Sequence, residues 1–363
     1  MRRKWWEYVL FALVLGMSGL VLVTEKSSSN ASGPSQAVQK THALDLTRSI
    51  GQSFDWLDGF LATTAFALPE LDDLPSLPSL SASESEGDQK TYMIPQGLVT
   101  MEHYLLMSSY SADGSHQSLL YLWDQWTGQA VGSIVLPGRV HAGGLAYDTK
   151  HRMLWVAYKD EERSGVAGVS LAHLLLHLWS QEKEAISLDE FVAIDEMAEV
   201  SYLTYQKDKL YVGYFDVAGP GVLASYSINA CGNVSQKPSQ TWETPKRVQS
   251  LTFYQDMFLF SISYGNHSSK LVAYQATSLK EKDLPLEKAD WVLKLPPYLE
   301  QTAVLEGKLL LLFESAGILY RVRPGITPID QLVALDVTQV NRLAKRLRLG
   351  KEKQTPLDGI VVY

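Results

Sequence analysis

The chain has 363 residues, of which 46% are hydrophobic and 20% charged, and its formal net charge at pH 7 is −8. This length and composition suit a globular body of one large or two ordinary domains, and the acidic balance excludes nucleic acid as an expected partner. The single cysteine, Cys231, excludes an internal disulfide bond, a cysteine-based zinc site and a thiol redox pair.

The N-terminus carries the pattern of a membrane segment. Basic residues 2–4 precede two tryptophans, and an uncharged run follows over residues 8–23. Basic residues on the N-terminal side mark the cytoplasmic end of a span, and residues 5–24 approach the required length of roughly 20. We therefore predict a cytoplasmic tip and transmembrane signal anchor over residues 1–26. The protein would then cross the cell membrane once, with its C-terminal domain extracellular; the alternative is a secreted protein with a cleaved signal peptide.

Residues 27–90 are rich in Ser, Pro and acidic residues, which is the composition of a spacer. Inside this linker we predict an amphipathic helix over residues 43–61, because large apolar side chains recur there at near-helical intervals. These residues are Leu44, Leu46, Ile50, Phe54, Leu57, Phe60 and Leu61. Such a helix would either dock on the main domain or contact a membrane or a partner, and both interpretations stay open.

From about residue 91 onward, one pattern occurs five times: a short apolar strand, a polar turn, and a second apolar strand. The second strands end at Tyr110, Tyr158, Tyr214, Tyr264 and Glu314, roughly every 50 residues. Third and fourth strands follow in each period, and in the fifth repeat they are predicted over residues 317–322 and 332–335. Four short strands at this spacing are typical of a β-propeller blade.

The predicted fold is therefore an all-β, five-bladed β-propeller over residues 91–363, preceded by the transmembrane helix. A sixth blade stays open, because the stretch from Thr91 would allow an extra strand. A helical insertion is predicted near residues 172–183, and a basic C-terminal helix near residues 337–349. The last residues, 357–363, predict a strand that completes a blade begun at the N-terminus and so closes the ring.

Three stretches carry a resemblance to a known family: TYMIPQGLVTMEHYLLMSSYS, SLLYLWDQWTG and VHAGGLAYDTKHRMLWVAY. With these segments the chain resembles exported, membrane-anchored β-propeller proteins of Gram-positive bacteria, over roughly 250 residues. The resemblance implies a propeller outside the cell. It implies no activity, because propellers share such turn and strand motifs across many functions.

Polar residues precede or lie at the start of each predicted inner strand, and inner strands surround the central channel of a propeller. We predict a candidate binding ring at the channel mouth that also includes Glu314, which replaces a tyrosine at the end of its strand. The ring residues are Gln96, His141, Glu199, Arg247, Gln249, Glu300 and Glu314. Loops that converge on a rigid scaffold often bind ligands, although such groups also commonly satisfy turns and one another.

No catalytic motif, metal site or cofactor site is predicted, because G-x-S-x-G, Walker and H-E-x-x-H patterns are absent from the sequence. The first hypothesis is a binding module for an unknown extracellular ligand or protein, without chemistry. The alternative is a carbohydrate-active hydrolase or lyase that uses carboxylates at the channel mouth, such as Glu199 and Glu300. It requires a carboxyl group with a raised pKa and a partner roughly 5 to 9 Å away.

Overall fold

The computed structural model describes residues 48–49, 52–57, 59–68, 93–159, 163–180, 182, 184–349 and 359–363. The strands of this part form an all-β, five-bladed β-propeller, which confirms the predicted fold class and sets the number of blades at five. Each inner strand lies beside the inner strand of the next blade, and the last lies beside the first. The predicted anchor over residues 5–24 lies outside the described residues. Among the helices described, none is both long and apolar enough to span a membrane.

Each blade is an antiparallel sheet whose strands follow one another from the channel outward. In that order, blade 1 has Met93–Met101, Tyr104–Ser111, Leu119–Asp124 and Ala130–Val135; blade 2 has Leu145–Asp148, Met153–Lys159, Ser164–Ser170 and Glu190–Ala193; blade 3 has Tyr202–Gln206, Lys209–Tyr214, Gly221–Ser227 and Gln240–Thr244; blade 4 has Val248–Tyr254, Met257–Ile262, Ser269–Gln275 and Trp291–Leu295; blade 5 has Leu299–Leu305, Lys308–Phe313, Gln331–Leu335 and Leu61–Ala67.

The apolar core lies between the blades. The buried apolar side chains form five clusters, one between each pair of neighbouring blades, including blades 5 and 1. This follows from the sequence, because the inner three strands of most blades carry apolar side chains on both faces of the sheet, and each face packs against a neighbouring blade. Tight turns join the first two strands of a blade: Lys207 and Asp208 have φ of 49° and 59°, the left-handed geometry that suits a two-residue hairpin.

The N-terminal segment supplies the outer strand of blade 5. Leu61–Ala67 pairs with Gln331–Leu335, and Thr64 Oγ1 donates a hydrogen bond of 2.7 Å to the carbonyl of Leu332. The predicted helix over residues 43–61 is therefore wrong, as is the start of the propeller at residue 91. The described part of that segment holds two short paired strands, Arg48–Ser49 and Gln52–Ser53, and one 3-10 turn, Asp55–Leu57.

The near-helical spacing in that segment has another cause. Phe54 and Leu57 are buried in the cluster between blades 4 and 5, and Phe60 and Leu61 pack against the same cluster. Phe66 is buried in the next cluster, between blades 5 and 1. Apolar side chains thus recur because the segment crosses the edge of blade 5, and pairing with that blade satisfies its backbone groups.

Blade 5 also departs from the prediction at its third strand. The sequence predicts that strand over residues 317–322, but Glu314–Ala316 forms a 3-10 turn and Ile318–Arg321 forms a short helix. Gln331–Leu335 is the third strand and not the fourth. The C-terminal strand, Ile360–Val362, does not close the ring as predicted, because it pairs with Trp291–Leu295 as a fifth strand of blade 4.

Two longer helices flank the sheets. Helix α1, Leu171–Ser180, lies between the third and fourth strands of blade 2; the short helix Ile318–Arg321 is α2; and helix α3, Val337–Arg348, follows blade 5. Two further 3-10 turns, Ala276–Lys280 and Leu286–Lys288, lie between the third and fourth strands of blade 4. Asp336 caps α3 by accepting a hydrogen bond from the backbone N–H of Gln339, which satisfies one free donor of its first turn.

Serine hydroxyl groups tie neighbouring blades together near the channel. Ser108 Oγ accepts a 2.8 Å hydrogen bond from the N–H of Gly97 and donates one of 2.7 Å to the carbonyl of Ala142 in the segment before blade 2. Ser261 Oγ donates similarly, at 2.7 Å, to the carbonyl of Glu300 in blade 5. Each of these two hydrogen bonds to a carbonyl therefore holds the chain at the start of one inner strand against the preceding blade.

We expect Ser108→Ala to lower the free energy of unfolding by about 1–3 kcal/mol, because it leaves two buried backbone groups without partners. Urea unfolding followed by circular dichroism measures this loss. Ser133→Ala is the matched control, because Ser133 is exposed on the outer strand of the same blade. Equal stabilities of the two variants would contradict the role given to the Ser108 hydroxyl.

Candidate functional site

Most of the predicted ring residues lie in one continuous group at the channel mouth. We call this group the channel-mouth cluster; it consists of Gln96, Tyr110, His141, Glu199, Glu300, Glu314, Tyr320 and Arg323. It extends from blade 5 across blade 1 to the entries of blades 2 and 3. The other two predicted residues, Arg247 and Gln249, lie at the entry of blade 4 and have different contacts.

Glu314 lies where the second strand of blade 5 turns into the 3-10 segment. Its backbone N–H donates a 2.9 Å hydrogen bond to the carbonyl of Tyr298, and its carboxylate Oε1 accepts one of 2.7 Å from Gln96 Nε2. Gln96 sits at an irregularity in the inner strand of blade 1, between Pro95 and Leu98, and is fully buried. The bulge directs this amide across the boundary between blades 1 and 5.

Two carboxyl groups meet in this cluster with raised pKa values. Burial raises the pKa of Glu314 to about 7, against the hydrogen bond from Gln96 and the charge of Arg323, which lower it. Burial and the nearby Glu314 charge raise the pKa of Glu300 well above its ordinary value. Because neighbouring carboxylates repel each other, the pair keeps a proton at pH values where an exposed glutamate has lost it.

The two carboxyl groups differ in access. Glu300 is only 3% exposed, and its Oε2 is buried without a hydrogen-bond partner. Glu314 is partly exposed. A buried acid with an unpaired oxygen is costly to ionise. Glu300 therefore serves as the neutral neighbour of the pair, and Glu314 is the carboxyl group that a ligand can reach.

Aromatic side chains surround Glu314. The hydroxyl groups of Tyr110 and Tyr320 interact with each other, and burial together with the Glu314 charge raises the pKa of Tyr110 to about 12. The guanidinium of Arg323 lies 5.0 Å from the centre of the Tyr320 ring, and its Nη1 donates a 3.2 Å hydrogen bond to the hydroxyl of Tyr298. Both phenols of the cluster remain protonated donors at neutral pH.

His141 extends the cluster toward blade 3. The centre of its ring lies 4.5 Å from the centre of the Tyr110 ring, and the residue is exposed. The surrounding protein lowers the pKa of His141, while the charge of Glu199 opposes that change. A neutral imidazole beside a carboxylate offers one donor and one acceptor to a polar ligand.

Arg247 points away from the cluster. Its Nε donates a 3.1 Å hydrogen bond to the carbonyl of Val217, and its guanidinium lies 4.5 Å above the ring of Tyr264. Gln249 is half-buried at an irregularity in the inner strand of blade 4, between Val248 and Ser250. The seven predicted residues therefore form an incomplete ring, interrupted at blade 4.

Tyr320 and Arg323 were not among the predicted site residues. Residues 317–322 resemble a strand, whose side chains would alternate between the two faces of blade 5. The helix α2 instead brings Tyr320 to Glu314. The signal available in the sequence is Glu314 itself, because a carboxylate in place of an aromatic residue favours a nearby cation, and Arg321 and Arg323 follow it closely in the sequence.

The described residues contain no group of three or more His, Cys, Asp or Glu side chains that could hold a metal ion. His173 and His177, four residues apart on α1, contact different carboxylates: Asp189 at 2.7 Å and Glu182 at 3.3 Å. Glu314, His141 and the two tyrosines can form hydrogen bonds with a ligand at the channel mouth, and Glu314 can also exchange a proton near neutral pH.

No protein-family model matches the chain, and no curated protein matches it at a significant level. Similar solved structures include hydrazine synthase from Kuenenia stuttgartiensis, with a TM-score of 0.37, 10% identity, and coverage of 63% of this chain and 58% of that one. A nidogen–laminin complex has a TM-score of 0.37 and 11% identity, covering 70% of this chain and 84% of that one. An engineered GH43 glycoside hydrolase has a TM-score of 0.38 and 11% identity, covering 62% and 48%. The chain thus spans less than two thirds of the hydrazine synthase and glycoside hydrolase chains.

Proposed function

We propose that the protein is an extracellular ligand-binding propeller, held at the cell membrane through residues 5–24, which binds a neutral, hydroxyl-bearing ligand such as a carbohydrate at the channel mouth. The observation that carries the proposal is the partly exposed residue Glu314, which interacts with Tyr110 and Tyr320, together with His141 against the ring of Tyr110. The anchor and the extracellular location rest on the N-terminal sequence pattern and on the resemblance to exported propellers.

The charges of the cluster favour a neutral ligand. With a pKa of about 7, Glu314 is present both as an acid and as a carboxylate near neutral pH, so it can donate or accept a hydrogen bond. Arg323 adds a positive charge close to it. A hydroxyl group can pair with either form of the carboxyl group, whereas a ligand with a full charge would be repelled by one member of the site.

The aromatic rings favour the same class of ligand. Tyr110 and Tyr320 are each partly exposed, so each offers a flat apolar surface together with a hydroxyl group. Amphipathic rings of this kind pack against apolar faces while their polar ends form hydrogen bonds. A carbohydrate ring presents both features, because its C–H groups can face an aromatic ring while its hydroxyl groups face Glu314 and His141.

Binding fits the site better than hydrolysis. A glycosidase needs two carboxyl groups that both reach the bond that is cleaved. Glu300 is too buried to reach a substrate in this structure, although its pKa is raised as the hydrolase alternative requires. Glu199, the other candidate, acts electrostatically on His141, whereas the charge that acts on Glu300 is that of Glu314.

The proposal is tested by ligand-observed NMR of the full chain with a panel of neutral mono- and disaccharides. We expect at least one sugar to bind, and Glu314→Gln to weaken it about 10- to 100-fold, because a charge-assisted hydrogen bond is lost. Glu281→Gln is the control, since Glu281 is exposed in a distant loop of blade 4. Absence of binding across the panel would contradict the proposal, and product formation that stops in Glu314→Gln would establish the hydrolase instead.

A further inference from the structure

A second cavity lies between blades 3 and 4, separate from the channel-mouth cluster. It is a cleft of about 480 Å³, within the range of small-molecule sites. Its walls include the loop after the second strand of blade 3, the segment that joins blades 3 and 4, and strand ends of blade 4. Arg247, which the sequence suggested for the channel mouth, lines this cleft instead.

Three cations line the cleft: Lys246 and Arg247 come just before the inner strand of blade 4, and Lys270 lies on its third strand. Within the described part of the chain, none of them forms an ion pair with a carboxylate. Lys270 also lies directly opposite Lys294 on the neighbouring strand, and like charges in that arrangement repel each other. An anion bound here would relieve this repulsion and pair with otherwise solvated charges.

The remaining wall is largely apolar. Its apolar lining residues include Pro220, Pro245, Ile262, Leu284 and Leu286. Tyr264 is 44% exposed at the same cleft, where its ring is covered by the guanidinium of Arg247. Such surfaces favour an apolar body on the ligand rather than a bare inorganic ion.

Carboxylates are present at the outer side of the cleft, nearer the outer strand of blade 3. They are Glu243, Asp283 and Glu287, and Asp283 is paired with Lys288 at 3.1 Å. The backbone N–H of Leu284 donates a hydrogen bond to the carbonyl of Glu243, which holds the loop of Asp283 against the outer strand of blade 3. Lys246 and Arg247 thus lie toward the channel, and the carboxylates lie toward the outer strand of blade 3.

We propose that the cleft between blades 3 and 4 binds a small organic anion, a carboxylate or a phosphate ester with an apolar body. The anionic group lies against Lys246, Arg247 and Lys270, and the apolar body lies along Ile262, Pro220 and Pro245. This site is independent of the channel-mouth cluster, so neither proposal depends on the other.

The test uses saturation-transfer NMR of the full chain with three probes of similar size: phenyl phosphate, benzoate and uncharged benzyl alcohol. We expect one or both anions to bind at least about tenfold more tightly than benzyl alcohol, because charge-assisted hydrogen bonds exist only for the anions. The ratio between phenyl phosphate and benzoate identifies which anionic group the site prefers. Absence of binding by both anions, or equal binding of all three probes, would overturn the proposal.

The double variant Lys246→Gln with Lys270→Gln removes two exposed cations from the cleft without touching its apolar wall. We expect it to weaken anion binding at least about tenfold. The matched control is Lys237→Gln with Lys345→Gln, which removes two exposed lysines outside the cleft and changes the net charge equally. If both double variants weaken binding to the same extent, the effect is one of overall charge and the site is wrong.

Discussion

A chain that begins at residue 91 is expected not to fold as a stable monomer, whereas a chain that begins at His42 is expected to unfold in one cooperative transition. The difference lies in Leu61–Ala67, the outer strand of blade 5, and in the segment before it. The shorter chain contains every residue of the sequence repeat but lacks the strand that completes its last blade.

The expected loss is large because the missing segment is well buried. Phe54, Leu57, Phe66 and Leu68 are each less than 10% exposed, and they belong to the clusters on both sides of blade 5. Removing four such side chains costs on the order of 10 kcal/mol, which is comparable to the whole stability of a typical domain. The third strand of blade 5 would also lose its outer partner and expose an edge that favours aggregation.

Size-exclusion chromatography and urea unfolding of the two chains decide this prediction. The chain from His42 is the control, since it keeps the closing strand and lacks the proposed membrane segment. A monomeric chain from residue 91 with the same unfolding midpoint would show that blade 5 is stable without its fourth strand.

The second large effect is expected from pH. The folded-state pKa values of Glu300 and Glu314 lie above the ordinary glutamate value, so the folded protein binds more protons than the unfolded chain between about pH 4.5 and 7. This contribution to stability is fully present below that window and is lost as pH rises through it. A pKa of about 7 for Glu314 corresponds to a loss of stability of about 3 kcal/mol. Because Glu314 is partly exposed and solvent screens its charge, we expect a loss on the order of 2 kcal/mol.

Replacing Glu300 with Gln removes one charge from the pair and should restore the stability that the parent chain loses as the pH rises. We expect Glu300→Gln to be about 1–3 kcal/mol more stable than the parent chain at pH 8.5, and nearly equal to it at about pH 4, where the Glu300 carboxyl group is neutral in both the folded and the unfolded chain. Urea midpoints at the two pH values measure the difference. Glu281→Gln should show no such pH dependence, and a destabilised Glu300→Gln at pH 8.5 would indicate that the ionised pair is favourable.

Much of the fold was predictable because the repeat is a local pattern. Apolar strands and tight polar turns place the ends of the five second strands to within two residues of those in the structure. Blade 5 was misassigned because its fourth strand lies some 270 residues away from its third, as the contact between Thr64 and Leu332 shows. A pattern of neighbouring residues cannot indicate that two strands so far apart in the sequence pair with each other.

The candidate site was predictable only in part for a similar reason. Residues before inner strands follow from the repeat, so Gln96, His141, Glu199 and Glu300 could be placed at the channel mouth. The direction of a side chain does not follow, and Arg247 turns toward Tyr264 instead. Tyr320 reaches Glu314 only because the chain forms a helix where its apolar and aromatic residues favour a strand.

The closing strand also sets the order in which the protein can assemble. Leu61–Ala67 is synthesised before any blade, yet its partner strand, Gln331–Leu335, is among the last segments to be made. Until then the closing strand has no place to pair, and the apolar surfaces of blades 5 and 1 cannot be covered. Bringing together two strands so far apart in the sequence costs chain entropy before any contact between them forms. Ring closure is therefore a late step of folding. A nascent chain that stops short of blade 5 therefore remains an open arc of blades with two apolar ends.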